Sequence, residues 1–128
     1  MRTLKNLIIF LATFAILGCS TIQSKNPADW VGYTESGEAS FYANKHQSRK
    51  TANGEKYSHD LKTAAHKTIP FGAKVKVTNV DNGKSVVVRI NDRGPFVRGR
   101  IIDLSKSAFS SIGNTAQGLI DVEIEVVK

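Results

Sequence analysis

Alternating apolar and polar residues mark most of the second half of the chain. In Leu119–Val127 apolar residues alternate with acidic ones, and in Lys74–Val80 valines alternate with lysines. Because successive side chains of a β-strand point to opposite faces, both segments are predicted to be strands with one buried face. Asp81-Asn82-Gly83 predicts a hairpin turn, and Ser85–Ile90 is the returning strand.

Shorter segments complete the predicted fold. Gly37–Tyr42 and Ile101–Leu104 are predicted strands, and Thr63–His66 is a short strand or turn. Ser105 is a predicted N-cap for a helix over Lys106–Ile112, which Gly113 ends. The polar stretch Ala43–Tyr57 is predicted to be a long loop, with or without a short helix, of the kind that is often functional in small domains. About six short strands and one helix favour a mainly β fold, a small closed barrel without exposed sheet edges.

The first residues have the pattern of an export sequence. Arg2 and Lys5 precede the apolar run Leu7–Leu17, which is too short to span a bilayer comfortably. Gly18-Cys19 then resembles the cleavage box of bacterial lipoproteins, in which the cysteine becomes the lipidated N-terminus. An ordinary signal peptide followed by an unpaired cysteine is the alternative.

The predicted organisation follows from this. Residues 1–18 are expected to be a lipoprotein signal peptide, 19–36 a lipidated tether and 37–128 the folded domain. Ser20 after Cys19, rather than an aspartate, indicates by the same resemblance an outer-membrane lipid anchor facing the periplasm. Trp30 and Tyr33 are the large apolar groups of the tether, and they either dock on the domain or stay loose.

Charge and composition narrow the partners. The chain has 18 basic and 11 acidic residues, a formal net charge of +7, which favours a polyanionic partner. Export argues against nucleic acid, so an anionic cell-wall glycan fits better. Cys19 is the single cysteine, which excludes an intrachain disulfide. No HExxH, CxxC or GxSxG pattern is present, so neither a metal nor another cofactor is expected. Nothing in the sequence predicts a dimer interface, and a monomer is expected.

One acid follows an apolar strand directly. Counting by twos from Val86 through Val88 and Ile90 places Asp92 on the core face, at the start of the turn Asn91–Pro95. A carboxylate at the rim of an apolar interior is partly desolvated, which disfavours its charged form and suits a general acid. A turn acid that accepts backbone N–H groups is the alternative.

Other polar groups also end or follow strand-like segments. Glu55 follows Asn53-Gly54, His66 follows two alanines, and Asp103 lies in the short strand before the helix. Arg93 follows Asp92 and is placed to pair with a carboxylate or with substrate. For His66, a hydrogen-bonded structural histidine is the alternative to a site residue.

Eight ordered runs together resemble the rare lipoprotein A (RlpA) family, whose domain is a double-psi β-barrel. The runs are Ala39–Tyr42, Thr51–Glu55, Thr63–His66, Ile69–Gly72, Val77–Asn79, Asn82-Gly83, Val88–Phe96 and Gly99–Ser105. The resemblance covers about residues 37–127. It implies catalytic roles for Asp92, Glu55 and His66. We add Tyr42, Asn53, Arg93 and Asp103 as substrate-binding candidates.

The resemblance also implies an activity. Members of this type are septal or envelope lipoproteins, and some are lytic transglycosylases that cleave peptidoglycan glycan strands, preferring strands that lack stem peptides. Such an enzyme needs one acid that protonates the leaving oxygen and then takes the proton of the muramic C6 hydroxyl, leaving a 1,6-anhydro end. Asp92 is the first choice for this acid. Glu55 is the second choice, or the group that steadies positive charge, and His66 would orient or polarise an acid.

A non-catalytic, expansin-like glycan-binding barrel is the alternative function. Three positions depart from the family pattern near the expected groove: Phe41 replaces the usual tryptophan, Ala43 the usual glycine, and His46-Gln47-Ser48 the usual Phe-His-Gly. Sugar stacking is expected to differ accordingly. The family's C-terminal SPOR domain is not expected, since the chain ends just past the last predicted strand.

Overall fold

The computed structural model describes residues 23–128 and contains six strands and one α-helix. The predicted signal peptide and Cys19 lie outside the described residues. The strands are β1 (Thr34–Phe41), β2 (Thr63–Ala65), β3 (Lys74–Asn79), β4 (Ser85–Asp92), β5 (Arg100–Leu104) and β6 (Ile120–Val127), and the helix is α1 (Lys106–Ile112). Short 3₁₀ turns occupy Pro27–Trp30, Asn44–His46 and Thr115–Gln117.

The six strands close into a barrel in the order β1-β5-β2-β4-β3-β6. Two pairs are parallel, β1 with β5 and β2 with β4, whereas the other neighbours are antiparallel. This confirms the predicted mainly β fold, a six-stranded double-psi barrel with one helix. Because β1 meets β5 on one side and β6 on the other, the barrel closes without a free sheet edge.

Side-chain alternation fills the barrel as the pattern predicts. On β6, Ile120, Val122, Ile124 and Val126 are buried and the acidic residues between them are exposed. On β3, the two valines are buried and the two lysines exposed. The predicted helix bounds are confirmed, and the Ser105 hydroxyl caps α1 by accepting from Ala108 N. Within residues 23–128 no helix is both long and apolar enough to cross a bilayer.

Strand β4 departs from simple alternation at its end. The register with β2 shifts so that Ala64 pairs with Ile90 and Ala65 with Asp92. Asn91 is therefore the extra residue of a bulge, and its side chain is buried. The expectation that alternation continues from Ile90 to Asp92 is wrong, because bulges re-aim side chains at the ends of strands. β4 also extends two residues past the predicted strand end.

The predicted tether is partly folded. Pro27–Trp30 forms a 3₁₀ turn capped by the Asn26 side chain, and Trp30 packs against the barrel core. Gly32 N donates to Val126 O, and β1 starts at Thr34 instead of Gly37. Of the two open alternatives for Trp30, docking is therefore the observed one. Tyr33 lies edge-on to the Trp30 ring, with centroids 5.1 Å apart.

Candidate active site

A carboxylate at the end of β4 is the centre of the site. Asp92 Oδ1 accepts from Ala52 N (2.8 Å) and from its neighbour Arg93 N (2.9 Å), and Oδ2 accepts from the Tyr42 hydroxyl (2.5 Å). Asp92 is half-buried. Hydrogen-bond donors thus surround the side chain, where the sequence predicted apolar neighbours. The two hypotheses for this acid, a site group and an acceptor of backbone N–H groups, are both compatible with this arrangement.

Tyr42 approaches Asp92 from the end of β1. Burial, followed by the hydrogen bond to the Asp92 carboxylate, raises the pKa of the Tyr42 phenol well above its ordinary range, so the phenol stays protonated. Its ring packs against Tyr57, with centroids 4.3 Å apart, and edge-on to His46 at 5.5 Å. Because a hydroxyl both donates and accepts, Tyr42 can accommodate either protonation state of Oδ2.

The second acid forms a bidentate ion pair. Arg89 donates from Nη1 to Glu55 Oε1 (2.5 Å) and from Nη2 to Oε2 (2.7 Å), and Asn53 Nδ2 also donates to Oε1 (2.7 Å). The hydrogen bonds from Arg89, and then that from Asn53, lower the pKa of Glu55 to about 2. Glu55 is therefore ionised at neutral pH. This favours its role as a charge-stabilising group over that of proton donor.

A single turn connects the two acids. Within Thr51–Glu55, Ala52 N holds Asp92, and Asn53 N donates to the backbone carbonyl of Asn91 (3.2 Å). The turn closes on itself, since Thr51 N donates to Glu55 O (2.8 Å). Gly54 has a φ of 93°, which explains the glycine at this position. Hydrogen bonds through this turn thus connect Asp92, Tyr42, Asn53 and Glu55.

His66 is the third predicted catalytic group, and its ring has other partners. Nδ1 accepts from Thr68 N (3.1 Å) and Ile69 N (3.0 Å), so Nε2 carries the hydrogen and donates to Glu35 Oε1 (2.8 Å). The residue is 3% exposed. Its backbone N donates to Asp92 O (3.2 Å). The arrangement fits the structural alternative, in which the ring fixes the turn after β2 and the backbone fixes the end of β4.

Protonation of His66 is opposed by its surroundings. Burial lowers its pKa below the ordinary 6.5, an effect that Glu35 offsets in part and that Arg93 and Lys67 reinforce. In the unfolded chain the ring takes up a proton near pH 6.5, whereas in the folded protein it does so at lower pH. The folded state is therefore expected to lose stability as the pH falls through this window.

Replacement of His66 by Gln should flatten this pH dependence. Urea unfolding at pH 7.5 and pH 5.5 is expected to show a smaller difference in unfolding free energy for the variant than for the unaltered protein, although the variant is less stable at both. His59→Gln is the matched control, because His59 lies between β1 and β2, and its ring is hydrogen-bonded to Tyr57 and Asn44. If the difference in unfolding free energy between the two pH values is unchanged in the His66 variant, His66 is not the source of this pH dependence.

Arg93 secures the turn that follows β2. Its Nη1 donates to Ile69 O (2.9 Å) and His66 O (3.3 Å), and its guanidinium lies 3.9 Å from the centroid of the Phe71 ring. Burial lowers the pKa of Arg93, an effect that the Asp92 charge partly offsets. The predicted pairing of Arg93 with a carboxylate is not the observed contact. Carbonyl oxygens and an aromatic face take its place.

Asp103 forms a separate polar group beside the site. Its Oδ1 accepts from the Ser40 hydroxyl and from Arg100 Nη2 (2.5 Å). The Asp103 charge adds to that of Asp92 in raising the pKa of Tyr42, which places it in the same neighbourhood. Asp103 therefore belongs to the surroundings of the site, held by β1 and β5.

Several contributing residues were not predicted. Arg89, Glu35 and Asn91 contact the predicted groups, and the buried Asn91 Oδ1 has no hydrogen-bond partner in residues 23–128. Arg89 could have been predicted as a site residue, because it is a charged residue within the apolar run of β4. Of the departures from the family pattern, Phe41 packs on Phe109 (4.7 Å) rather than lining a groove, whereas His46 contacts Tyr42.

The donor set does not suggest a metal centre. In the part of the chain that the structure describes, no three His, Cys, Asp or Glu side chains are grouped to hold a metal ion.

Fold and site together define a double-psi β-barrel that presents a hydrogen-bonded aspartate and an ion-paired glutamate. The lytic transglycolase family matches residues 34–124. The endolytic peptidoglycan transglycosylase RlpA of Vibrio cholerae is 56% identical over 103 residues, covering 80% of this chain and 38% of the relative. The probable RlpA of Synechocystis is 46% identical over 114 residues, covering 89% and 36%. The chain belongs to this lytic transglycolase family, with the RlpA proteins.

Solved structures share the fold at lower identity. The Streptomyces papain inhibitor is 21% identical with a TM-score of 0.62, covering 77% of this chain and 97% of that one. An expansin of Clavibacter michiganensis is 20% identical with a TM-score of 0.59, covering 75% and 51%. This chain spans less than two-fifths of the length of the two RlpA relatives.

Proposed function

We propose that this protein is an endolytic lytic transglycosylase that cleaves peptidoglycan glycan strands. The observation that carries the proposal is Asp92, a carboxylate fixed at a strand end beside a protonated tyrosine, within the family-matched segment. RlpA relatives named as endolytic peptidoglycan transglycosylases support the substrate class.

In the proposed reaction Asp92 moves the proton. Oδ1 is held by two backbone amides, so Oδ2, with one hydroxyl partner, is the oxygen that exchanges it. A protonated Oδ2 gives its proton to the leaving glycosidic oxygen and then takes the proton of the muramic C6 hydroxyl. That hydroxyl oxygen bonds to C1 and closes a 1,6-anhydro ring, without water as nucleophile. The ionised Glu55 stabilises the positive charge that develops on the sugar.

Replacement of Tyr42 by Phe should slow cleavage about threefold to tenfold, because one hydrogen bond to Oδ2 is lost while the ring packing remains. The initial rate of release of soluble fragments from glycan strands measures the effect. Tyr33→Phe is the matched control, since Tyr33 bonds Glu35 on the exposed surface. An unchanged rate in Tyr42→Phe would remove the phenol from the mechanism.

Product analysis tests the activity itself. The purified full chain is incubated with glycan strands without stem peptides, and the ends are identified by mass spectrometry. The enzyme hypothesis expects new 1,6-anhydromuramic ends, and at least about a hundredfold fewer with Asp92→Asn over the same time. Parallel incubation with stem-bearing strands tests the expected preference for strands that lack peptides.

An expansin-like binding protein without turnover is the second candidate. The acceptor role of Asp92, the ion-paired state of Glu55 and the shared fold with expansin favour it. Co-sedimentation with glycan strands, without new anhydro ends, is the outcome that this candidate expects.

Lipid attachment at Cys19 belongs to the same proposal. The charged start, the short apolar run and Gly18-Cys19 support a lipoprotein, and Ser20 after the cysteine supports an anchor in the outer membrane that faces the periplasm. Cys19→Ser should abolish labelling of the protein with radioactive palmitate in growing cells and release it from the membrane fraction.

A further inference from the structure

A cationic cavity lies beside the end of β4, where Arg93 contributes to its lining. It has a volume of about 480 Å³ and lies between the N-terminal segment and the turn after β2. Its lining residues are Gln23, Ser24, Lys25, Lys67, Thr68, Pro70, Phe71 and Arg93.

The charge of the lining has one sign. Lys25, Lys67 and Arg93 are cationic, and the lining contains no acidic residue. Asp29 approaches it indirectly, since its carboxylate accepts from the Ser24 hydroxyl (2.5 Å). A concave surface lined by cations concentrates its field on an anion. The Ser24 and Thr68 hydroxyls and the Gln23 amide add neutral hydrogen-bonding groups around the same space.

Arg93 connects the cavity with the site. Its Nη1 is occupied by two backbone carbonyls, while the remainder of the guanidinium makes no hydrogen bond within residues 23–128. The planar fork of an arginine matches a carboxylate well. Arg93 lines the cavity, and the Asp92 charge acts on its guanidinium, so the two groups lie in the same neighbourhood. We therefore expect a sugar next to the scissile bond to reach the cavity.

We propose that this cavity binds a carboxylate of a muramic acid residue of the glycan, an inference that rests on the proposed function. N-acetylglucosamine has no carboxylate, so the cavity would set the register of the strand by recognising every second sugar. A muramic residue without a stem peptide offers its free lactyl carboxylate. A residue with a stem offers the carboxylates of the peptide instead.

Binding measurements distinguish the lactyl carboxylate from the stem-peptide carboxylates. They use the full chain with Asp92→Asn, so that the probes are not cleaved during the measurement. The probes are denuded glycan strands with lactyl carboxylates, stem-bearing strands with peptide carboxylates, and neutral chito-oligosaccharides. Each exposed lysine is expected to contribute about threefold, as is usual for solvated ion pairs. Lys25→Gln/Lys67→Gln should therefore weaken binding of at least one muramic probe about tenfold, with chito-oligosaccharide binding unchanged. The effect should shrink at high salt.

The matched control removes two charges elsewhere. Lys76 lies on the outer face of β3 and Lys84 in the following hairpin, both outside the cavity. Lys76→Gln/Lys84→Gln should leave binding unchanged. An equal loss in the control, a loss with chito-oligosaccharides, or no loss with either muramic probe would overturn the proposal. Cleavage by the unaltered protein is assayed separately. If the unaltered protein cleaves glycan but binding does not depend on the cavity lysines, only this inference is removed. If binding depends on these lysines but the unaltered protein does not cleave glycan, the transglycosylase proposal is removed.

Discussion

Replacement of Asp92 by Asn is expected to lower the rate of glycan cleavage by about 10²–10⁴-fold, the usual contribution of general acid–base catalysis. The amide has nearly the same shape and one oxygen that can still accept hydrogen bonds, but it cannot carry the exchanged proton. Release of anhydro-terminated fragments measures the rate. Full retention of cleavage would exclude Asp92 as the acid.

The control for this variant is its fold and its binding. Asn at position 92 can keep acceptor contacts with Ala52 N and Arg93 N through its oxygen, so the melting temperature should change little. Retained binding of glycan strands together with lost cleavage is the pattern of a catalytic residue. Loss of both would indicate instead that Asp92 organises the site.

Replacement of Glu55 by Gln is expected to slow cleavage about 10–10²-fold. This is less than the usual effect of removing a charge-stabilising group, because Arg89 already neutralises part of the Glu55 charge. With its pKa lowered to about 2 by Arg89 and Asn53, Glu55 does not titrate between pH 5 and 8. The rate of the variant should therefore fall by a similar factor throughout that range. The pH–rate profile of both proteins checks this.

A proton-donating Glu55 predicts something different. In that case the variant would lose the limb of the pH–rate profile that reports the acid, and the ratio of the two rates would change with pH. Arg89→Gln provides the complementary test. It leaves Glu55 without its fork of hydrogen bonds, so the pKa of Glu55 should rise toward its ordinary 4.5. In the unaltered protein the depressed pKa of Glu55 stabilises the fold above pH 4.5, and this stabilisation is lost as the pH falls toward 2. In Arg89→Gln the stabilisation is smaller, so Glu55 should contribute less to the loss of stability below pH 4.

The elements that the sequence predicts well are those set by local alternation. β3 and β6 each carry a complete pattern of buried and exposed positions, and Ser105 caps the helix by a contact three residues away. Such features depend on neighbours along the chain. Barrel closure could also be anticipated, because six short strands in so small a domain leave few other ways to cover their edges.

The hydrogen-bond partners of the site could not be predicted in the same way. Arg89 reaches Glu55 from another strand, and Glu35 reaches His66 from a segment expected to be tether. The bulge at Asn91 arises from the register of β4 against β2, which no local pattern shows. The acids themselves were located by their motifs, but the lowered pKa of Glu55 depends on the contact with Arg89.

The N-terminal segment docks on the barrel, and in a protein lipidated at Cys19, as proposed, this docking would limit the distance between the barrel and the membrane. Trp30 Nε1 donates to Ser24 O (2.8 Å), so the chain is bound to the barrel from Ser24 onward. If Cys19 carries lipid, five residue steps separate it from Ser24, so the linker spans at most about 18 Å. Glycan cleavage, as proposed, would then be confined to the layer of wall nearest to that membrane.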